Sequence, residues 1–402
     1  MSGYLLIINV GSTSIKSCLF SKQLDTTAQL AADYGSGLSL SIEGYGLDRQ
    51  SITRCIDSRH DTSAALAVIL ALWRQLLSDS GVQLVAIGHR VVHGATWFDK
   101  PTRIDAEMLA QLEQLDAYAP LHNPFNRLGI QMAAEFFPES PQFALFDTAF
   151  HRTLPDYAAR YAIPEQLSTE VAFWRYGFHG LSCQHSVLAA AELLQRTPSE
   201  LNLIILHLGG GASATAVRGG MSVDTSMGFS PTEGLIMAGR CGDVDPMIVL
   251  TLQREGMSVQ QLDNTLNRLS GLRALCGEGD MRAIVCRAEQ GDDTALLALE
   301  MFCYRIKKYI GAYCAVLGSV DALVFTGGIG EHAPLVRQKI VAGLENLGFA
   351  LDNSANQQHN GENTDISVVT SQSRILVVHA EEEKICARQI LTILDSTSAH
   401  YS

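Results

Sequence analysis

Apolar positions follow two spacings that alternate along the chain. Short runs rich in Ile, Leu and Val predict strands at 4–9, 14–20, 84–88, 142–147, 202–208, 213–218, 321–326 and 374–379. Longer stretches with apolar residues one turn apart predict helices at 62–80, 104–116, 124–136, 183–196, 244–255, 258–269, 293–318, 334–346 and 381–395. Interleaved in this way, they specify an α/β architecture with helices packed on sheets. The Gly/Asn-rich piece 352–364 reads as a polar loop before the last strand, and no low-complexity tail or long linker interrupts the pattern.

One part of the pattern repeats. IINVGSTSIKSCLF, from Ile7, aligns with ILHLGGGASATAV, from Ile205, so that Asn9 falls on His207 and Gly11 on Gly209. Both are an apolar strand, a polar residue, a turn of small residues and a second strand. The offset is about half the chain, which suggests two related domains, each presenting one strand–turn–strand loop.

Composition narrows the class. A chain of 402 residues buries a sizeable core and divides more readily into two or three domains than one. With 47% hydrophobic and 18% charged residues it is globular, and its net charge of −13 opposes binding to nucleic acid or an anionic membrane. The nine cysteines form no CxxC pair and read as reduced thiols. MSGYLLIINVGS has no signal-peptide pattern, and the longest apolar run, AALAVILALW at 64–73, is too short to span a bilayer. A cytoplasmic location is expected.

Three glycine clusters could cradle phosphate through converging backbone N–H groups: GSTS at 11–14, GGGAS at 209–213 and FTGGIGEHAP at 325–334. Each is also compatible with a plain hairpin turn or helix entry. GxxxxGK[ST] is absent, which argues against a Walker-type NTPase. Charged and polar side chains concentrate in Gly- and Pro-rich strand-end segments, where α/β proteins place ligand sites. These are GHRVVHGATWF (88–98), APLHNPFN (119–126), ALFDTAFHRTLP (144–155), RYGFHGLS (175–182), VDTSMGFSPTEGLIMAGRCGDVDP (223–246) and HAEEEK (379–384). The pair His89/His93 lacks the helix and glutamate of an HExxH zinc site, and no GxSxG elbow supports a serine hydrolase.

In this order the segments closely resemble the acetate kinase family, which includes propionate and butyrate kinases, over nearly the whole chain. The resemblance implies a duplicated, two-domain α/β fold of the actin/Hsp70/sugar-kinase (ribonuclease H-like) type with a central nucleotide cleft. Residues 1–147 with 384–402 are expected to form an N-terminal kinase domain, and 148–383 a C-terminal nucleotide-binding domain. It also implies in-line transfer of the ATP γ-phosphoryl group to acetate, giving acetyl phosphate and ADP, with Mg²⁺ (or Mn²⁺), in a homodimer. Carried over by position, Arg90 and Arg240 would hold the carboxylate and the migrating phosphoryl group, His179 would donate to it, and His122 would lie nearby. Asp147 matches the catalytic Asp and is expected to orient Arg or the metal shell, because a carboxylate substrate needs no base. Asn9 and Glu382 match the metal positions. Lys16 and the loop His207, Leu208, Gly209, Gly210 and Gly211 match ATP-phosphate positions. Asp280, Met281 and Arg282, with Gly328, Ile329, Gly330, Glu331 and His332, match nucleoside contacts. Val92, Leu121, Phe178 and Pro231 match the acyl pocket, where Val92 in place of Ala leans towards acetate over propionate.

The chain departs from the family pattern at Gly210 (usually Asn), Cys241 (Ser or Thr), Ala95 (the second Gly after His93) and Ala380-Glu381 (Thr-Asn). Two alternatives remain open: a propionate or broad short-chain acyl kinase, and a non-catalytic actin/Hsp70-like nucleotide-binding protein.

Overall fold

The computed structural model describes residues 3–11, 14–33, 40–48, 50–56, 61–120, 122–168 and 171–398. The chain falls into two compact units, Met1–Ala149 with Glu381–Ser402, and Phe150–Ala380.

The first unit is built on strands β1 (Gly3–Val10), β2 (Ser14–Ser21), β3 (Thr26–Asp33), β4 (Leu40–Tyr45), β5 (Ser51–Ile56), β6 (Gln83–Val91), β7 (Thr102–Arg103) and β8 (Gln142–Phe146). They form one sheet in the order β5-β4-β3-β2-β1-β6-β8-β7. β1, β2 and β3 make an antiparallel meander, and β6 and β8 then run parallel to β1. Helices α1 (Thr62–Asp79), α2 (Ala106–Gln114) and α3 (Asn123–Phe136) accompany the sheet. α1 starts where Asp61 accepts the Ala64 N–H at 2.8 Å, a side-chain N-cap. Its buried residues Ala65, Leu66, Ile69, Leu70 and Trp73 repeat at one-turn spacing and pack on Leu6, Ile8, Leu19 and Leu30 of the sheet. Burying each of the larger side chains is worth ~1.5–3 kcal/mol. The Trp73 indole N–H is not stranded by this burial, because it donates to Ser17 Oγ at 2.8 Å.

The second unit repeats the plan. After α4 (Asp156–Ala159) and α5 (Gly180–Leu194), strands β9 (Asn202–Leu208), β10 (Ala212–Arg218) and β11 (Met221–Thr225) form an antiparallel meander. Helices α6 (Pro246–Arg254), α7 (Val259–Asn264), α8 (Gly271–Cys276), α9 (Met281–Glu289) and α10 (Asp293–Leu317) lead to β12 (Ala322–Thr326). Then follow α11 (Gly327–His332), α12 (Pro334–Val341), α13 (Asn353–Gln358), β13 (Thr364–Asp365) and β14 (Arg374–Val377). The sheet order is β11-β10-β9-β12-β14-β13, with β12 parallel to β9 and β14 parallel to β12. Both sheets therefore share a 3-2-1-4-5 core with the same strand senses, and the two echoing segments are the first hairpin of each. Finally α14 (Glu382–Ser398) rejoins the first unit, against β1, β6 and β2.

The sequence-predicted elements are present, with shifted ends and some omissions. The 352–364 polar loop instead contains α13, whose start is capped by Asp352 accepting from Ser354 N and Ala355 N, and the short strand β13. The 258–269 helix stops at Asn264 and continues as a wide π turn, Thr265–Leu269. The 334–346 helix ends at Val341, before Gly343 at φ +82°. Strands β3, β4, β5, β7 and β11 carry too many Ala, Thr, Ser and Gly residues to register as apolar runs. Among the described residues no helix is long and apolar enough to cross a membrane.

Candidate active site

In the first unit the candidate residues meet at the carboxyl ends of three neighbouring parallel strands, where open α/β sheets bind ligands. Asn9 lies near the end of β1, Arg90 near the end of β6, and Asp147 directly after β8. Asp147 N–H donates to Val91 O at 3.0 Å, which fixes the strand end. Its carboxylate then accepts a forked pair from Arg90: Nε to Oδ1 at 3.0 Å and Nη2 to Oδ2 at 2.7 Å. The Asp147 side chain is only 3% exposed and that of Arg90 18%, so the pair is poorly screened. Burial by itself would lower the Arg90 pKa, but the charges of Asp147, Glu382 and Glu383 outweigh it and hold the guanidinium charged. Nη1 makes no bond to any described residue and remains for a ligand.

The turns around this pair are tied by two asparagines that carried no distinct signal in the sequence. Asn126 accepts from Val92 N at 3.0 Å and donates to Val10 O at 2.9 Å. Asn123 accepts from His93 N and donates to His93 O and Leu115 O. The strand end bearing Arg90 and Val92, the β1 end and α3 are thereby joined. His122 sits at the N-cap of α3, one residue before Asn123. Leu121, assigned to the acyl pocket, lies outside the described residues. Ala95 adopts φ +48° and is fully buried. The strain of a non-glycine residue there, about 1–2 kcal/mol, is only partly offset by about 0.8 kcal/mol for one buried carbon, a small net cost for the departure from glycine.

Glu382 and Glu383 open α14. Burial raises the Glu383 pKa, Glu382 adds to the shift, and Arg90 and Lys16 oppose it. Lys16 is exposed on β2, paired in register with Asn9 across the hairpin. Among the described residues no cluster of three His, Cys, Asp or Glu side chains could enclose a metal ion. The donors present, the Asn9 amide and the Glu382 carboxylate, instead suit a hard cation that keeps much of its water. The extra Glu381 has its own counter-charge, Lys384 Nζ at 3.1 Å.

In the second unit three features converge on the β9–β10 turn. His179 has left-handed backbone geometry, φ +59°, at the start of α5. Its Nδ1 meets Ser213 Oγ at 3.0 Å and its ring stacks on His207 at 4.1 Å between centroids. Ser182 Oγ holds His207 in turn, 2.8 Å from Nδ1. A Cβ on Gly211 would lie 3.4 Å from His179 Nε2 and 3.6 Å from Arg240 Nη1, so both donors flank that glycine. Arg240 is largely buried, its pKa lowered by desolvation, and no described carboxylate pairs with it. An uncompensated buried cation beside a glycine turn is an anion site in waiting. Its loop is anchored by Ala238 N to Gly210 O at 3.3 Å and Met237 N to Arg240 O at 3.2 Å. Gly210 has nothing within 4 Å of a would-be Cβ, so the residue usual there in the family would fit.

Behind this turn lies a cavity of about 780 Å³ lined by Gly209, Gly210, Met281, Val285, Gly328 and Ile329, with Asp280, Arg282 and His332 also on its wall. Asp280 caps α9 and ion-pairs with Arg282 at 2.5 Å. Gly327, at φ +77°, brings α11 so close to β9 that a Cβ would lie 2.8 Å from Leu208 O. Glu331 is the exception among the proposed nucleoside contacts. Its carboxylate is 4% exposed, meets His379 Nδ1 at 2.5 Å and accepts from Ala380 N at 3.1 Å.

Phe178 is buried and its carbonyl accepts from His151 Nε2 at 3.0 Å, while His151 Nδ1 meets Ser222 Oγ at 2.9 Å. The carbonyl assigns the proton to Nε2, leaving Nδ1 to accept from the hydroxyl. His151 thus fixes the residue before His179, a role its place in ALFDTAFHRTLP does not announce. Burial lowers the pKa of His151 and of His89, beside Gln142, to about 4 from 6.5. The neutral rings stabilise the fold above the unfolded value, and that stability is lost as pH falls from 6.5 to about 4. Each is worth about 3 kcal/mol. Both imidazole resonances are expected to stay neutral down to about pH 5 while urea midpoints fall; titration near pH 6.5 in the folded protein would contradict this.

The description "Acetokinase family" matches residues 4–388. The chain is 43% identical over 398 residues to the acetate kinase of Sulfurovum sp. (strain NBC37-1), covering 98% of this chain and 100% of that protein. It is 45% identical over 407 residues to the acetate kinase of Streptomyces avermitilis, covering 99% and 98%. Among solved structures, Porphyromonas gingivalis acetate kinase superposes with a TM-score of 0.87 at 34% identity, covering 98% of this chain and 100% of that one. A propionate kinase from Francisella tularensis gives 0.88 at 37%, covering 96% and 98%. With these matches spanning essentially its whole length, the chain belongs to the acetokinase family.

Proposed function

We infer that the protein is an ATP-dependent acetate kinase, transferring the γ-phosphoryl group to the carboxylate oxygen to give acetyl phosphate and ADP, reversibly. The observation that carries this is the forked Asp147–Arg90 pair, which presents a fixed guanidinium edge with Nη1 uncommitted. A planar fork suits a carboxylate or phosphoryl group. The acceptor is already ionised near neutral pH, so Asp147 serves to orient Arg90 and takes no proton. Arg240 and His179 Nε2, beside Gly211, supply donors to the migrating phosphoryl oxygens, and the cavity receives the nucleoside. Asn9 and Glu382 would hold Mg²⁺, or Mn²⁺, whose chemistry is to neutralise triphosphate charge. Positioning and charge neutralisation then carry most of the rate.

Two arginines argue against a protein that only binds nucleotide, which has no use for a second anion site. Propionate is the nearest competing acceptor. Val92 favours the shorter acid, but one methylene is worth only ~1–3 kcal/mol, so some propionate turnover is expected. Incubation with ATP, Mg²⁺ and hydroxylamine should yield the hydroxamate with acetate. No hydroxamate with acetate, propionate or butyrate would refute an acyl kinase, and a higher kcat/KM for propionate would reassign the substrate.

The protein is also proposed to work in the cytoplasm as a homodimer. On α10, Leu297, Met301 and Tyr304 are exposed at i, i+4 and i+7, and α6 exposes Met247, Ile248 and Leu250. Apolar stripes of this kind mark contact surfaces. Sedimentation equilibrium should give twice the 43.6 kDa chain mass, and Met301→Glu should shift it towards the monomer.

A further inference from the structure

Arg337, on α12, is 1% exposed, and none of its hydrogen-bond partners is a carboxylate. Nη1 donates to Gly330 O at 2.8 Å and Glu331 O at 2.7 Å, the closing carbonyls of α11, which have no acceptor role within so short a helix. Nε donates to Asn356 Oδ1 at 2.7 Å and Nη2 to Asn356 O at 2.9 Å, both on α13. Asn356, itself 1% exposed, closes the ring by donating from Nδ2 to Pro334 O at 3.0 Å. The guanidinium and Asn356 together therefore tie α11, α13 and the start of α12. Each also contributes to the cavity wall: Gly328, Ile329 and His332 from α11, Ala333 to Leu335 after it, and Gln357 beside Asn356. Arg337 itself does not line the cavity.

A buried arginine held only by neutral groups costs desolvation that an apolar side chain would avoid. Burial accordingly lowers its pKa to about 10. Its fork satisfies four acceptors that no lysine or methionine could reach together.

We propose that Arg337 is a positioning residue for the nucleoside: by joining α11 and α13 to its own helix, α12, it sets the shape of the wall on which the nucleoside rests. The proposal rests on the cavity being the nucleotide site. It predicts a loss confined to the nucleoside part of the ligand, because the β9–β10 turn and Arg240 are not among the segments it joins.

The test compares Arg337→Met, Arg337→Lys and, from the other side of the ring, Asn356→Ala. KM for ATP should rise about 10- to 100-fold, with kcat at saturating ATP within about 3-fold and KM for acetate unchanged. ADP should raise the melting temperature less than in the unaltered protein, while inorganic tripolyphosphate, which lacks the nucleoside, should bind as before. Arg337→Lys should fall between Met and Arg. Folded variants with unchanged ADP affinity, or with ADP and tripolyphosphate weakened equally, would overturn the positioning role. If the unaltered protein bound no ADP, the nucleotide assignment of the cavity would fail instead.

Discussion

Arg240→Ala is expected to lower kcat by about 10³–10⁵ while leaving ADP binding nearly intact, by analogy with arginine fingers at transferring phosphoryl groups. The physical basis is the isolation of this guanidinium. It is largely buried, pairs with no described carboxylate, and lies with His179 Nε2 against Gly211. Charge that develops on the equatorial oxygens during transfer would therefore meet a preorganised cation in a poorly screened setting. The cavity proposed for the nucleoside does not include Arg240 in its wall, so ground-state affinity for ADP should survive. Initial rates together with ADP-induced changes in melting temperature separate the two effects. Near-normal turnover would refute the assignment. Arg240→Lys should recover only part of the loss, because a single ammonium reproduces the charge and not the fork.

Asp147→Asn should reduce kcat by about 10²–10³ and raise KM for acetate, with the fold retained. The amide keeps the shape of the carboxylate but can accept only through one oxygen. Arg90 would then lose its bidentate partner and its main counter-charge, leaving Glu382 and Glu383 to draw the guanidinium towards α14. A second outcome separates orientation from proton transfer. If Asp147 only aligns Arg90, the pH–rate profile keeps its shape at a lower height. If it accepts a proton, the acidic limb that reports its ionisation disappears in the variant.

Stability should also fall in acid, for two reasons. His89 and His151 lose their neutral-ring contribution between pH 6.5 and about 4. Glu331, whose pKa is held below the usual carboxylate value by His379, adds a further loss that begins as pH falls through the ordinary carboxylate range.

Much of the fold is legible from local pattern, because it follows from side-chain periodicity. INVGSTSIK and HLGGGAS were recognisable as matching hairpins since a parallel-edge strand, a small-residue turn and a returning strand leave the same local signature wherever they occur. The meander strands β3 and β4 are not, because burial of alternate positions such as Ala28, Leu30, Leu40 and Ile42 leaves no continuous apolar run. α13 is harder to read: its Asp352 cap is local, but Asn356 bonds to Arg337 nineteen residues away, a contact that no short window of sequence contains.

For the site, residue type and motif order, through the family resemblance they carry, single out Arg90, Asp147, His179, Arg240 and the phosphate turns as candidates, and their chemistry suits carboxylate and phosphoryl groups. What they touch was decided only by tertiary structure. Asp147 grips Arg90 because parallel pairing of β6 and β8 sets their carboxyl ends side by side. Glu331, which the family resemblance groups with the nucleoside contacts, bonds to His379 and Ala380, and Arg337, which carries no motif, stitches the cavity wall. The supporting groups Asn123, Asn126 and His151 emerge only in three dimensions for the same reason. A side chain's identity fixes the bonds it can make, whereas burial and the approach of distant segments determine which of them it makes.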